Sequence, residues 1–286
     1  MLPLWVLACA FGVALAAGLL IGSVGVGGII IVPIMITVTD EVDVQTAIAS
    51  AMASYMAAGA SGALMYARKH SIEWSTAYPF LCGAAPTAFA ASFSLQFVGD
   101  DAVKAALYGF MLATSALTAV KTLRRRRAPP RDGGVFSGAA AGAEAGKISV
   151  GEARGAGLGG DARSVLARCC LGGIAGFGSA ATGTSGPLCS LPMLTALEWP
   201  ITTALGCAQA AQVPIALAST LAYVALRPGT IDWPLAGALA LGLAPAVAAG
   251  AVLAHRAPAA LLKTAVAGVL IVASLLALAR LALASL

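Results

Sequence analysis

Apolar runs of helical length, rich in Ala, Leu, Val and Gly, recur from one end of this 286-residue chain to the other. A helix rises about 1.5 Å per residue and the apolar core of a bilayer is about 30 Å thick, so about 20 such residues make one crossing. Strands of a membrane barrel would alternate polar and apolar residues, and these runs do not. Composition agrees, with 59% apolar and 10% charged residues and a mean hydropathy of +0.91, far from a soluble domain. The sequence therefore predicts an all-α polytopic membrane protein. The net charge of +5 sits mostly in loops, which makes it a topology signal, with the lipid bilayer as partner and no nucleic acid.

Two glycine-rich breaks interrupt the apolar pattern. Residues 22–33 read G-S-V-G-V-G-G-I-I-I-V-P, and residues 181–192 read A-T-G-T-S-G-P-L-C-S-L-P. Glycine permits sharp turns and close backbone approach. A helix that starts just after such a turn presents unpaired N–H groups and a partial positive charge, which is a place to hold an anion.

In chain order, a span at about 4–21 leads into the first break, and 29–38 forms a second apolar piece too short to cross, expected to begin at mid-depth. An acidic loop with Asp40, Glu41 and Asp43 precedes a span at 46–67 studded with small residues, which allow close helix approach. A span at 76–98 is expected to be interrupted at Pro86, and 102–123 closes the half. The apolar start lacks the basic residues of a signal peptide and has a counterpart at 165–177, so it is expected to be a retained first helix. The six cysteines form no C-x-x-C pair and are expected to be small packing residues.

Residues 124–164 begin with four arginines and continue as a Gly/Ala-rich stretch with few large apolar residues. Such a segment cannot bury enough surface to fold alone and is expected to be a flexible linker. Beyond it the first half repeats at an offset of 159: Gly27 falls on Gly186, Pro33 on Pro192, Ile72 and Trp74 on Ile231 and Trp233, Gly83 and Pro86 on Gly242 and Pro245, Lys104 on Lys263, Gly109 on Gly268. The expected organisation is a first repeat at 1–123, the linker at 124–164 and a second repeat at 165–286, each repeat with about five hydrophobic segments and one broken or re-entrant glycine-rich hairpin.

Charge then orients the halves. With a basic cytoplasmic linker, Asp100 and Asp101 fall outside, Arg68 and Lys69 inside, and Asp40 to Asp43 outside, as the positive-inside tendency requires. In the second half His255, Arg256 and Lys263 fall inside, with Glu198 and Arg227 as weak violations. This is the pattern of two inverted-topology repeats, with both termini opposite the linker, in the cell membrane.

In such a plan two half-helix N-termini converge near the midplane. The candidate substrate-binding residues are Ser23, Gly25, Gly27, Gly28 and Pro33 in the first break, and Thr182, Gly183, Thr184, Ser185, Gly186 and Pro192 in the second. Gln209 and Gln212 on the following span join them, with Ser50 and Ser54 on its counterpart. The competing reading makes the glycines packing sites and the glutamines cross-links between helices. Lys104 and Lys263 sit near span ends, where snorkelling explains them. The expected ligand is a small anion, with no cofactor, metal or catalytic residue; a homodimer is left open.

The paired glycine runs, the short segments ending in V-P or L-P, and the later I-[DE]-W at Ile72 to Trp74 and Ile231 to Trp233 resemble the sulfite exporter TauE/SafE family of membrane permeases. The resemblance covers nearly the whole chain except the linker. It implies export of sulfite, sulfonates such as sulfoacetate, or related small sulfur-containing anions. It marks Gly25, Gly27, Gly28 and Pro33, with Gly183, Gly186 and Pro192, as the matching residues. The second copy departs from the glycine-rich pattern at Thr184, Ser185 and Pro187, and two extra hydroxyls suit a larger oxyanion.

Two other classes are weighed. Gly183 to Gly186 matches the G-x-S-G of intramembrane serine proteases, with Ser185 as nucleophile and His255 as base; but His255 falls at a span end and Val26 occupies the matching site of the first copy. A carrier or channel for a neutral solute or metal cation is the other, though the spans hold only scattered cysteines as metal ligands. A reporter enzyme active only in the cytoplasm, fused at about residue 140, is expected to be active. Its inactivity there, with activity after residue 40, would reverse the orientation.

Overall fold

The computed structural model describes residues 2–38, 42–99, 102–103, 105, 162–196 and 201–254, and all regular structure among them is helical. Helix α1 is Leu4–Val24; a 3-10 turn, Gly27–Ile30, runs into α2, Ile31–Val38; α3 is Val44–Arg68 and α4 is Trp74–Leu95. The second half gives α5, Ala162–Thr182; α6, Gly186–Ala196; α7, Ile201–Leu226; and α8, Trp233–Ala254. The segments expected at 106–123 and from 255 onward lie outside the described residues, with Asp40, Glu41, Asp100, Asp101, Lys104, Gly109, residues 124–161, Glu198, His255, Arg256, Lys263 and Gly268.

Among the described helices, five are long and apolar enough to cross a membrane: α1, α3, α5, α7 and α8. Helix α4 is as long as α8, 22 residues, but is not among them, because Tyr78, Pro79, Pro86, Thr87, Ser92 and Ser94 dilute its apolar sequence. The expected interruption at Pro86 is corrected. Both Pro79 and Pro86 lie inside a continuous α4, as Pro214 and Pro245 lie inside α7 and α8. Proline removes one N–H from the ladder, and neighbouring hydroxyls can serve the carbonyls nearby. Here Thr87 Oγ1 donates to the carbonyls of Gly83 at 3.0 Å and Ala84 at 3.1 Å.

The packing exchanges the halves. Helix α1 lies along α8, and α4 along α5; α3 and α7 pack on each other and each on the fourth helix of the other half. Under the 159-residue offset α1 corresponds to α5, α3 to α7 and α4 to α8, so each contact maps onto another. The register is explicit. Gly59 packs against Gln212 and Val213 while Gly62 packs against Gln209, so the equivalent helices α3 and α7 run in opposite directions. Helices α1 and α8 run in the same direction, Gly18 meeting Leu243 and Ala246, and Gly22 meeting Val247 and Ala251.

These seams rest on missing side chains. A Cβ at Gly22 would overlap the Val247 carbonyl, and one at Gly250 that of Leu19; Gly83 faces the Cys169 carbonyl, Gly172 that of Phe80, and Gly176 that of Ala84. Lipid tails supply no hydrophobic force between helices, so such close backbone approach is what holds a pair together. The I-[DE]-W loops also cross between halves. Ile72 and Ile231 are buried, Trp74 and Trp233 exposed; the Cys207 thiol on α7 donates to the Glu73 carbonyl, and the Asp232 N–H donates to Ser50 Oγ on α3 at 3.0 Å. Gly172→Val is expected to lower the melting temperature in detergent by several degrees, overpacking costing about 1–3 kcal/mol. Gly237→Ala, with nothing within 4 Å of the added atom, is expected to leave it unchanged or slightly raised.

Candidate functional site

The first break begins where α1 ends. Gly25 adopts φ +83°, a left-handed cap whose N–H reaches the carbonyls of Leu20 and Ile21, a conformation glycine takes without steric cost. The chain then folds back, and the carbonyls it releases are met from elsewhere. Gln209 Nε2 on α7 donates to the Ile21 carbonyl at 2.9 Å, Tyr66 OH to that of Gly22 at 3.0 Å, and Tyr55 OH to that of Gly28 at 3.0 Å. Tyr55 is near the middle of α3, which puts Gly28 beside that helix's centre. The two tyrosines are residues that sequence reasoning missed. Their signal was present: two tyrosines about three turns apart on one face of a span rich in small residues.

The second break is built from its own side chains. Ser179 Oγ donates to the Thr184 carbonyl at 2.7 Å, and the Thr184 N–H donates back to the Ser179 carbonyl at 3.1 Å. Thr182 Oγ1 is bonded to the Gly178 carbonyl at 2.7 Å and lies 2.9 Å from Thr184 Oγ1. Gly183, at φ +62°, presses on Ile48 and Val32. Ser185 caps α6, its carbonyl accepting the Leu188 N–H at 3.0 Å, but its hydroxyl has no hydrogen-bond partner.

The two breaks touch. Gly28 lies directly against Ser185, where any side chain would overlap its Cβ, N and Oγ, and Gly25 lies against Pro187. A Cβ on Gly186 would stand 3.1 Å from Gln212 Cα, one on Gly59 3.1 Å from Gln212 Cβ, and one on Gly62 2.6 Å from Gln209 Oε1. Gly28, Ser185, Gly186, Gln209 and Gln212 are thus gathered at one place, between α3 and α7. Ser185, Gln209 and Gln212 are at most 1% exposed. Yet Ser185 Oγ, both amide atoms of Gln212, and Gln209 Oε1 have no hydrogen-bond partner.

The other candidates are placed differently. Ser23 Oγ donates to the Leu19 carbonyl at 2.6 Å and Ser54 Oγ to that of Ala51 at 2.7 Å, both within their own helices. Ser50 accepts the Asp232 N–H, tying α3 to the start of α8. Gly27 packs on the Ala17 carbonyl of α1. Pro33 is buried within α2, and Pro192 lies within α6. Among the described residues there is no group of three His, Cys, Asp or Glu able to hold a metal ion.

A family model described as "Sulfite exporter TauE/SafE" matches residues 10–155 and 168–284 of this chain, so both halves fall within it. The chain belongs to the sulfite exporter TauE/SafE family. It is therefore a membrane transporter of the class that moves sulfite and related sulfur-containing anions, which are carriers and not enzymes. No curated protein and no solved structure matches the chain.

The two glutamines predict opposite responses to the same change. Replacing an unpaired buried polar group by an apolar one of similar shape is close to neutral or stabilising, whereas removing one partner of a buried bond costs about 1–3 kcal/mol. Gln212→Leu is expected to keep or raise the melting temperature while lowering ligand affinity at least tenfold. Gln209→Leu, which takes the side-chain donor from the Ile21 carbonyl and leaves it only the Gly25 N–H, is expected to lower the melting temperature. A fall for Gln212→Leu as large as for Gln209→Leu would make Gln212 a structural cross-link.

Proposed function

We propose that this protein exports a small sulfur-containing anion, sulfite or an organosulfonate, across the cell membrane by alternating access, with the anion bound where the two glycine breaks meet. The observation that carries the reading is the Ser185 hydroxyl and the Gln212 amide, buried without partners at the contact of the breaks. Burying a polar group unpaired costs stability, and a ligand that supplies the missing partner recovers it. Ser185 also stands at the N-terminus of α6, 11 residues long, whose dipole places a partial positive charge there.

The mixture of donors and acceptors narrows the ligand. Gln209 is held in one orientation by its bond to the Ile21 carbonyl, so its free Oε1 is an acceptor facing Gly62. Among the described residues no Lys, Arg or His stands in the site, and a dianion would be desolvated there without a countercharge. A monoanion that brings its own proton satisfies both sides: hydrogensulfite, or a sulfonate carrying a hydroxyl group. Uncharged donors also hold an anion loosely enough to release it, as conduction through a membrane requires. Inverted halves, supported by the opposed directions of α3 and α7, give the rocking motion two equivalent arrangements.

Titration calorimetry and thermal shift of the purified protein test this with sulfite, sulfate, thiosulfate, sulfoacetate and taurine. Sulfite is expected to bind, with apparent affinity for total sulfite rising about tenfold for each unit by which the pH falls while the dianion predominates, one proton being taken up with the ligand. The titratable side chains on α3, α6 and α7 are Tyr55, Tyr66, Tyr223, Cys189, Cys207 and Arg68. Binding of none of these anions together with clear binding of a cation would falsify the assignment.

A further inference from the structure

A second cluster of buried polar groups lies away from the breaks, between α4 and α7. Ser92 on α4 and Gln96, which caps its C-terminal end, stand one turn apart, as do Ser219 and Tyr223 on α7, and none of the four is more than 3% exposed. Gln96 Nε2 donates to the Ala222 carbonyl at 3.1 Å and to the Ser92 carbonyl at 3.2 Å, so its amide is fixed between the two helices. Residues 219, 222 and 223 share one face of α7. Around that pinned amide the hydroxyls of Ser92, Ser219 and Tyr223, and Gln96 Oε1 itself, have no hydrogen-bond partner.

The cluster continues the site already described. Gln209, Gln212, Ala216, Ser219 and Tyr223 follow a three-four spacing along α7, and all five are buried, whereas Leu217, Leu221 and Val224 are exposed. Helix α7 therefore keeps its polar stripe inside and its apolar stripe outside. From Gln212 to Tyr223 the helix rises about 16 Å. At the positions equivalent to Ser219, Tyr223 and Ser92 the other half carries Ala60 and Leu64 on α3, both exposed, and Ala251 on α8, buried, so the buried hydroxyls belong to this half alone.

We propose that Ser92, Gln96, Ser219 and Tyr223 form a second station for the transported oxyanion, on a route that follows α7 from the breaks to the ends of α4 and α7. Three hydroxyls donate to anionic oxygens, and the fixed Gln96 Oε1 accepts the proton of a monoprotonated anion. The absence of charge in the set keeps the anion mobile. By the charge pattern, the end of α7 that carries Arg227 faces outward, so the station lies on the release side. This inference rests on the functional reading above.

The test uses the full-length protein in liposomes loaded with sulfite, with flux and equilibrium binding measured on the same preparations. In the Ser92→Ala/Ser219→Ala/Tyr223→Phe variant, the melting temperature is expected to stay the same or rise and the Gln212-dependent binding of sulfite to persist, while flux falls at least tenfold. Tyr223→Phe alone is expected to reduce flux about threefold. Wild-type flux in the triple variant overturns the station and leaves the central site standing. A lowered melting temperature with loss of central binding also overturns it, by showing that the hydroxyls serve the fold. If the wild-type protein neither binds nor moves sulfur anions, the functional reading fails first and the station with it.

Discussion

A helix that breaks inside a bilayer releases backbone carbonyls into a medium without water, and each must find a donor within the protein. The first break meets this demand with Tyr66, Tyr55 and Gln209, the second with Ser179. Those bonds set the relative positions of everything else. Tyr55 and Tyr66 tie α3 to the turn, and Gln209 brings α7, and so the second half, to the end of α1. Gln212, one turn further along α7, is then carried to the place where Gly28 meets Ser185.

Glycine does three separate jobs here. At Gly25 and Gly183 it supplies a left-handed turn. At Gly18, Gly22, Gly83, Gly172, Gly176 and Gly250 it lets one helix backbone rest on another. Gly28, Gly59, Gly62 and Gly186 form a third set, because their missing side chains let Ser185, Gln209 and Gln212 come close: a side chain at Gly28 would meet Ser185 Oγ, one at Gly62 Gln209 Oε1, and one at Gly59 or Gly186 the stem of Gln212. The same residue type therefore makes the turn, the seam and the site.

Much of this was legible in the chain. The membrane class, the duplication and the two breaks follow from apolar run lengths and from rare residues recurring at one spacing. Gly28, Ser185, Gly186, Gln209 and Gln212 were named on local chemistry alone and are brought together in the fold. What could not be read was which hydroxyls were already spent. A serine or threonine in a membrane helix can turn back to its own preceding turn, as Ser23, Ser54 and Thr182 do. The role of Ser50 depends on a residue 182 positions away, and no pattern within α3 signals it. Pro86 was misjudged as well: the local rule says break, whereas α4 runs on through both of its prolines.

The exchange of helices between halves has a consequence for how the chain is made. Helix α1 emerges first, yet its long glycine-ridged seam is filled by α8, the last of the described helices. At about 5–20 residues per second, the ribosome needs on the order of ten seconds or more to deliver that partner. Throughout that interval α1 stands in the membrane with its backbone ridge against lipid, available to any small-residue helix that drifts past. Final assembly of the transporter is thus a late event, set by the arrival of the second half rather than by insertion of the first.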